Sequence, residues 1–213
     1  MIKIQCSVLE QVRKNPVLHG QILASNITLG RGGTHGMLAY WQDVSLNLHK
    51  QEYDFARGIK ELQKTFFNFE ETVKNYKKQD FLQDSFVKYH KNFNKRKFEL
   101  VETRKRINWN ISSVGLLTGL TPWVFKANNK FYSYLFTERE YSWNTELRFP
   151  LIQSYLAYKI LECDISVVNI GIYSLSTDNF FFKNFSQPEI NGAIDETVDI
   201  FKKVNTEYEK IKL

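Results

Sequence analysis

Cysteine is scarce in this chain of 213 residues: only Cys6 and Cys163 occur, far apart in sequence. Two cysteines cannot build a disulfide framework, and neither sits in a CxxC pair of the kind that holds zinc. Both are expected to be reduced, buried thiols. The four histidines, His19, His35, His49 and His90, show no HxxxH pairing and no neighbouring cysteine, so the spacing does not point to zinc either. Proline is limited to four residues, too few for a proline-rich linker, and no low-complexity stretch or internal repeat is present. No apolar run approaches the ~18 residues that a membrane span requires. The opening Met1–Pro16 has no apolar signal core. These absences lead to the expectation of a cytoplasmic protein with no membrane partner. A GxSxG nucleophile elbow is also missing.

What the chain does have is aromatic bulk and unevenly placed charge. Aromatics make up 15% of the residues, with 17 Phe and 11 Tyr, so large rings are expected to dominate the core. The net charge is +6, yet the window from Lys74 to Arg106 alone carries +7, from eleven Lys/Arg against four acids. The remainder sums to −1. An excess confined to one segment argues for a polyanion-facing patch over a uniformly basic surface. The residues expected to contact phosphates are Lys91, Lys95, Arg96, Lys97, Arg104, Lys105 and Arg106, interleaved near Tyr89, His90 and Phe93. The alternative use of the same window is a solvated helix face, or a surface for an acidic protein partner.

Element signals follow the chain. A short strand and a helix ending at Asn15-Pro16 open it, because the residue before proline disfavours helix. A second helix fits Val17–Ala24. The run Leu29-Gly-Arg-Gly-Gly-Thr-His-Gly36 reads as a loop: Gly30-x-Gly-Gly-x-x-Gly36 has the glycines of a phosphate cradle but no GK[ST] ending and no clear strand before it. Backbone contact with a phosphate, aided by Arg31, is the functional alternative there. A helix restarts near Met37. Ile59, Leu62, Phe66, Phe69, Val73 and Tyr76 then recur at spacings of three and four, continued by Leu82, Phe86, Tyr89 and Phe93. That spacing predicts one long helix, or a helical hairpin broken near Gln79-Asp80. Ile107–Leu117 reads as β, followed by strands at Trp123–Lys126 and Phe131–Phe136 joined by Ala127-Asn-Asn-Lys130, a hairpin turn. A helix over Phe149–Leu161 tolerates Pro150 in its first turn. Strands at Val167–Leu175 and Phe180–Phe185 follow, and Ser186 with Glu189 forms a capping box for a last helix running towards Lys210.

The expected architecture is one α/β domain in three stretches: residues 1–44 with N-terminal helices and the Gly-rich loop, 45–106 as a helical basic segment, and 107–213 as a mixed α/β core. That order resembles the PD-(D/E)XK nuclease superfamily, in its RecB-like and CRISPR-associated exonuclease branch. The likeness is carried by the opening Ile4-Gln-Cys-Ser-Val-Leu-Glu-Gln-Val-Arg-Lys-Asn-Pro16 and the glycine-led Gly36-Met-Leu-Ala-Tyr-Trp41. It continues through the meander Val114-Gly-Leu-Leu-Thr-Gly-Leu-Thr-Pro-Trp123 and Tyr132-Ser-Tyr-Leu-Phe-Thr-Glu138. The Gln/Tyr helix Pro150-Leu-Ile-Gln-Ser-Tyr-Leu-Ala-Tyr158 and the strand Gly171-Ile-Tyr-Ser174 complete it.

The resemblance implies a restriction-endonuclease-like mixed sheet flanked by helices, with a long helical insertion in the N-terminal half. It also implies carboxylates gathered on Mg²⁺ or Mn²⁺ with a lysine beside the attacking water. Those groups do not carry over. The first Asp of the family falls on Gly119-Leu-Thr-Pro122, the acid-x-Lys on Leu135-Phe-Thr137, and the metal-ligand His on Tyr40. A relocated metal site would use Glu138 and Glu140, which a strand would place on one face, with Glu146 nearby and Lys159 as a displaced amine; the alternative is a solvated loop mouth in which Arg139 and Arg148 pair the acids. The function expected is therefore binding of DNA or RNA by a nuclease-like fold whose catalysis is lost or relocated. The alternatives are an active metal-dependent DNA/RNA exonuclease and a subunit that docks an acidic protein.

Overall fold

In the computed structural model, which describes residues 1–25 and 36–212, the chain is a mixed α/β fold with two mixed sheets. Strand β1 (Ile2–Gln5) leads through a 3-10 turn into helix α1 (Leu9–Lys14) and then α2 (Pro16–Ala24). Asn15 breaks the two helices and its side chain accepts from the Leu18 N–H, capping α2 with Pro16 at its first position. Helix α3 (Met37–His49) follows the Gly-rich run; residues 26–35, which include all of that run but Gly36, lie outside the described residues, Arg31 and His35 among them.

The helical middle is a hairpin, but it breaks earlier than the apolar spacing predicts. Helix α4 (Phe55–Phe66) and helix α5 (Val73–Lys95) are separated at residues 67–72, and α5 runs straight through Gln79-Asp80. Local hydrogen bonding decides this. Asp54 accepts from the Arg57 N–H at 2.7 Å and Thr72 from the Asn75 N–H at 3.2 Å, so each helix has its own N-cap. The stripe is also not continuous: Val73 is 70% exposed, whereas Leu62, Phe66, Leu82, Phe86, Tyr89 and Phe93 are buried.

Helix ends at Lys95, so the stretch 45–106 is not helical throughout. Strand β2 (Glu99–Glu102) and strand β3 (Arg106–Asn110) follow, with Arg104 and Lys105 between them and Arg106 opening β3. They run back against strands β4 (Gly115–Leu120) and β5 (Val124–Ala127), so residues 107–117 form a hairpin and not a single strand. The Asn128-Asn129 turn, with φ of 50° and 58°, joins β5 to strand β6 (Lys130–Thr137), the left-handed pair that a two-residue hairpin demands. Helix α6 (Arg148–Tyr155) is extended by a π-helical turn at Leu156–Ile160. Strand β7 (Val168–Ser174) then pairs parallel to β6, β8 (Asn179–Lys183) antiparallel to β7, and helix α7 (Gln187–Lys212) closes the chain. The Ser186–Glu189 capping box forms: Glu189 accepts from both the N–H and the hydroxyl of Ser186.

The larger sheet has the order β2-β5-β6-β7-β8 and the smaller one β1-β4-β3. Period-two alternation sorts the side chains of the larger sheet onto two layers. Val168, Ile170 and Ile172 of β7 join a core with Leu9, Phe149 and Phe201 from α1, α6 and α7 and with Leu156 of the π-helical turn. Tyr134 and Tyr173 turn the other way, onto Trp41, Phe66, Phe86 and Tyr89 from α3, α4 and α5. Rings fill this second layer, as the composition predicts. Among the described residues no helix is long and apolar enough to cross a membrane. Cys6 is a buried free thiol, while Cys163 is only partly covered, contrary to the expectation for it.

Candidate functional site

The two sheets share one bent strand pair. Between β4 and β5, and opposite it between β2 and β3, the ladder is carried by a single residue on each side: Thr121 N–H donates to Lys105 O at 2.8 Å, and Lys105 N–H donates to Thr121 Oγ1 at 2.9 Å. Gly119 starts the bend at a φ of +148°, a conformation that favours glycine, and packs beside Cys6 at the end of β1. Pro122 then withholds a backbone donor where the strand changes sheet. The divergence opens a cavity of about 570 Å³ at the seam, bounded by the end of β1, the bend, the middle of β6 and the start of α6.

Three guanidinium groups line it: Arg104, Arg106 and Arg148. Arg104 donates to Gln42 Oε1 of α3 at 2.8 Å and lies 5.6 Å from the centre of the Trp123 ring. Arg148, at the start of α6, is paired with Glu146 at 2.5 Å and donates to the Tyr141 hydroxyl at 2.7 Å. Arg106 opens β3, is exposed, and has no ion-pair partner among the described residues. No Asp or Glu lines the cavity among the described residues. Its nearest sulfur is inert, because burial pushes the Cys6 thiol up to about 12, against smaller opposing effects of a backbone hydrogen bond and Arg148.

Behind the cavity wall runs a polar chain of two buried tyrosines and a partly buried histidine. The Tyr89 and Tyr134 hydroxyls are 2.6 Å apart and Tyr89 Oη lies 2.7 Å from His49 Nε2. Burial holds both tyrosines well above the usual phenol range and pushes His49 down to about 3, so all three are neutral at physiological pH. Tyr134 comes from the middle of β6 and lines the cavity. Its neighbour Phe136 is packed edge-on against Trp123 at 5.4 Å.

The basic residues singled out from the sequence fall into two groups. Lys91 and Lys95 are exposed on α5; Arg96 caps the helix with its guanidinium 5.0 Å from the Phe180 ring, and Lys97 follows in a left-handed conformation. Arg104 and Arg106 belong to the cavity, while Lys105 is paired with Glu102 at 3.2 Å. The weak catalytic candidates are not brought there. Strand β6 ends at Thr137, whose hydroxyl donates to Arg139 O at 2.6 Å and turns the chain, so Glu138 and Glu140 do not share a strand face. Glu138 pairs with Lys78 of α5, Glu140 is exposed, and Lys159 is exposed in the π-helical turn. Among the described residues, no group of three or more His, Cys, Asp or Glu side chains is placed to hold a metal ion. Arg148 and Gln42 were not legible as site residues in the sequence. Each lies far from the basic window, and only the fold sets them beside it.

No protein-family model and no curated protein sequence matches the chain.

Proposed function

We propose that the protein binds nucleic acid, using a restriction-endonuclease-like scaffold in which the seam that would hold catalytic carboxylates carries arginines instead. The observation that carries the reading is the cavity lined by Arg104, Arg106 and Arg148 and by no carboxylate among the described residues. Guanidinium is the side chain best matched to phosphate, since its planar fork donates two parallel hydrogen bonds and it stays charged at all relevant pH. The order of elements supports the scaffold: an antiparallel meander, a helix bearing Gln153 and Tyr155, a strand parallel to the third of the meander, and a C-terminal helix. The exposed cations Lys91, Lys95, Arg96 and Lys97 add a second, sequence-independent attraction for phosphates. A cleaving enzyme built on Glu138 and Glu140 has less support, because Glu138 is taken by Lys78.

The test is a titration of labelled single- and double-stranded DNA and RNA, with and without Mn²⁺, at two salt concentrations. Binding that weakens as salt rises, with no cleavage, is the expected result. Cleavage that needs Mg²⁺ or Mn²⁺ and vanishes in the Glu138→Ala, Glu140→Ala double variant restores the exonuclease reading. Absence of binding to every strand overturns the proposal and leaves an acidic protein as the partner of the basic surface.

A further inference from the structure

The geometry points to a narrower ligand for the cavity: a phosphate monoester carrying a base, either a free nucleoside monophosphate or the phosphorylated terminal nucleotide of a strand. The inference rests on the reading that the protein meets nucleic acid, and goes beyond it by naming what enters the cavity.

Size sets the first limit. A cavity of about 570 Å³, about 10 Å across if it were round, falls in the range of small-ligand sites. It is narrower than a duplex, whose major groove alone is about 12 Å wide. The volume is that of a small-ligand site and matches one nucleotide better than a helix.

Charge sets the second. Of the three guanidinium groups, Arg148 is already balanced by Glu146. Arg104 makes its hydrogen bond to a neutral amide, and Arg106 has no ion-pair partner among the described residues. Two uncompensated positive charges therefore face one small space. A phosphodiester in the middle of a strand brings a single negative charge, whereas a phosphomonoester brings about −1.5 to −2 near pH 7. The monoester is the better match, and its extra oxygen gives a second guanidinium an acceptor of its own.

The remaining walls suit a base. Leu120, 57% exposed, and Pro122 offer apolar contact, and Phe136 adds an aromatic surface. Gln5, Ser7 and Thr118 supply neutral hydrogen-bonding groups along one side. No metal bridge is needed, since the cations are part of the protein.

The experiment compares one single-stranded oligonucleotide carrying a 5′-phosphate, a 3′-phosphate or hydroxyls at both ends, by fluorescence anisotropy in the presence of EDTA. AMP, adenosine and inorganic phosphate serve as competitors and are also titrated alone by calorimetry. The expected result is a preference of about tenfold or more for one phosphorylated end, as two charge-assisted hydrogen bonds allow. AMP competes and adenosine does not. The preference fades below about pH 6, where the monoester takes up its second proton. The Arg104→Gln, Arg106→Gln double variant loses the preference; both residues are exposed, and an unchanged melting temperature verifies its fold. Arg106→Lys, which keeps the charge and loses the fork, retains only part of it.

Strands that bind with no end preference and are not displaced by AMP overturn the inference while the nucleic-acid reading stands. Binding of AMP without binding of any strand does the reverse, and names a free nucleotide as the ligand. Loss of both overturns both.

Discussion

Lys105 and Thr121 exchange two hydrogen bonds across the bend that divides the two sheets, one through each backbone N–H, at 2.9 and 2.8 Å. Thr121 is 1% exposed, and its hydroxyl accepts from the Lys105 N–H at the place where the ladder changes sheet. Replacing it by valine preserves the shape and removes the acceptor. Thr121→Val is expected to cost about 1–2 kcal/mol of stability, read as a lowered midpoint in urea. It is also expected to loosen the cavity, read as faster hydrogen exchange at Lys105 than in the parent. Unchanged exchange at Lys105 would show that the bend does not depend on this pair.

A similar arrangement fastens α6 to the far edge of the fold. Gln153, fully buried, donates to Phe185 O at 3.0 Å and accepts from the Phe185 N–H at 2.8 Å. Gln153→Leu leaves both backbone groups without a partner in an apolar layer. The expected loss is about 3 kcal/mol or more, several times that of an exposed glutamine such as Gln187. An equilibrium urea titration of the two variants checks the ratio; equal midpoints would refute it.

The partly buried imidazole of His49 makes stability depend on pH in a stated window. His49 is pushed down to about 3 by burial, with a smaller contribution from His90, whereas in the unfolded chain it titrates near ~6.5. The folded value is the lower one. The stabilisation is therefore complete above pH ~6.5 and is lost as pH falls towards 3, because the unfolded chain takes up the proton first. In His49→Gln, which keeps an acceptor for the Tyr89 hydroxyl and does not titrate, the melting temperature should fall less between pH 6.5 and 5 than in the parent. Parallel curves for the two proteins would assign the acid sensitivity elsewhere.

On the outer surface, Lys91 and Lys95 stand one helical turn apart on α5 without an ion pair among the described residues. If single strands run over them, the double change to glutamine lowers the slope of log K against log salt by about 0.7 for each phosphate contact removed. Binding isotherms at four salt concentrations measure it. A slope equal to that of the parent would place the strand on another face.

Much of the secondary structure was legible because its signals are local. Asn15-Pro16 separates two helices, Asn128-Asn129 turns a hairpin, and Ser186 with Glu189 opens the last helix, each through contacts within a few residues. The helix break was misplaced for a related reason. The apolar spacing crosses residues 67–72 without interruption, and the capping of α5 by Thr72 outweighs it. Strand β2 was hidden inside a basic run, where Leu100 is its one inward aliphatic residue and Phe98 precedes it.

By itself, the sequence determined the composition of the core, the alternation that gives each strand two faces and the concentration of positive charge between Lys74 and Arg106. Periodicity and net charge are sums over neighbouring residues, so they can be read along the chain. Only the tertiary structure decided which of those charges share a cavity. Arg104 and Arg106 meet Arg148 because a strand pair bends at Gly119–Pro122 and a helix begins beside it. Glu138 and Glu140 are carried away from the cavity because β6 ends at Thr137. Convergence of this kind depends on register and strand direction, which are set by packing between distant segments and leave no local mark.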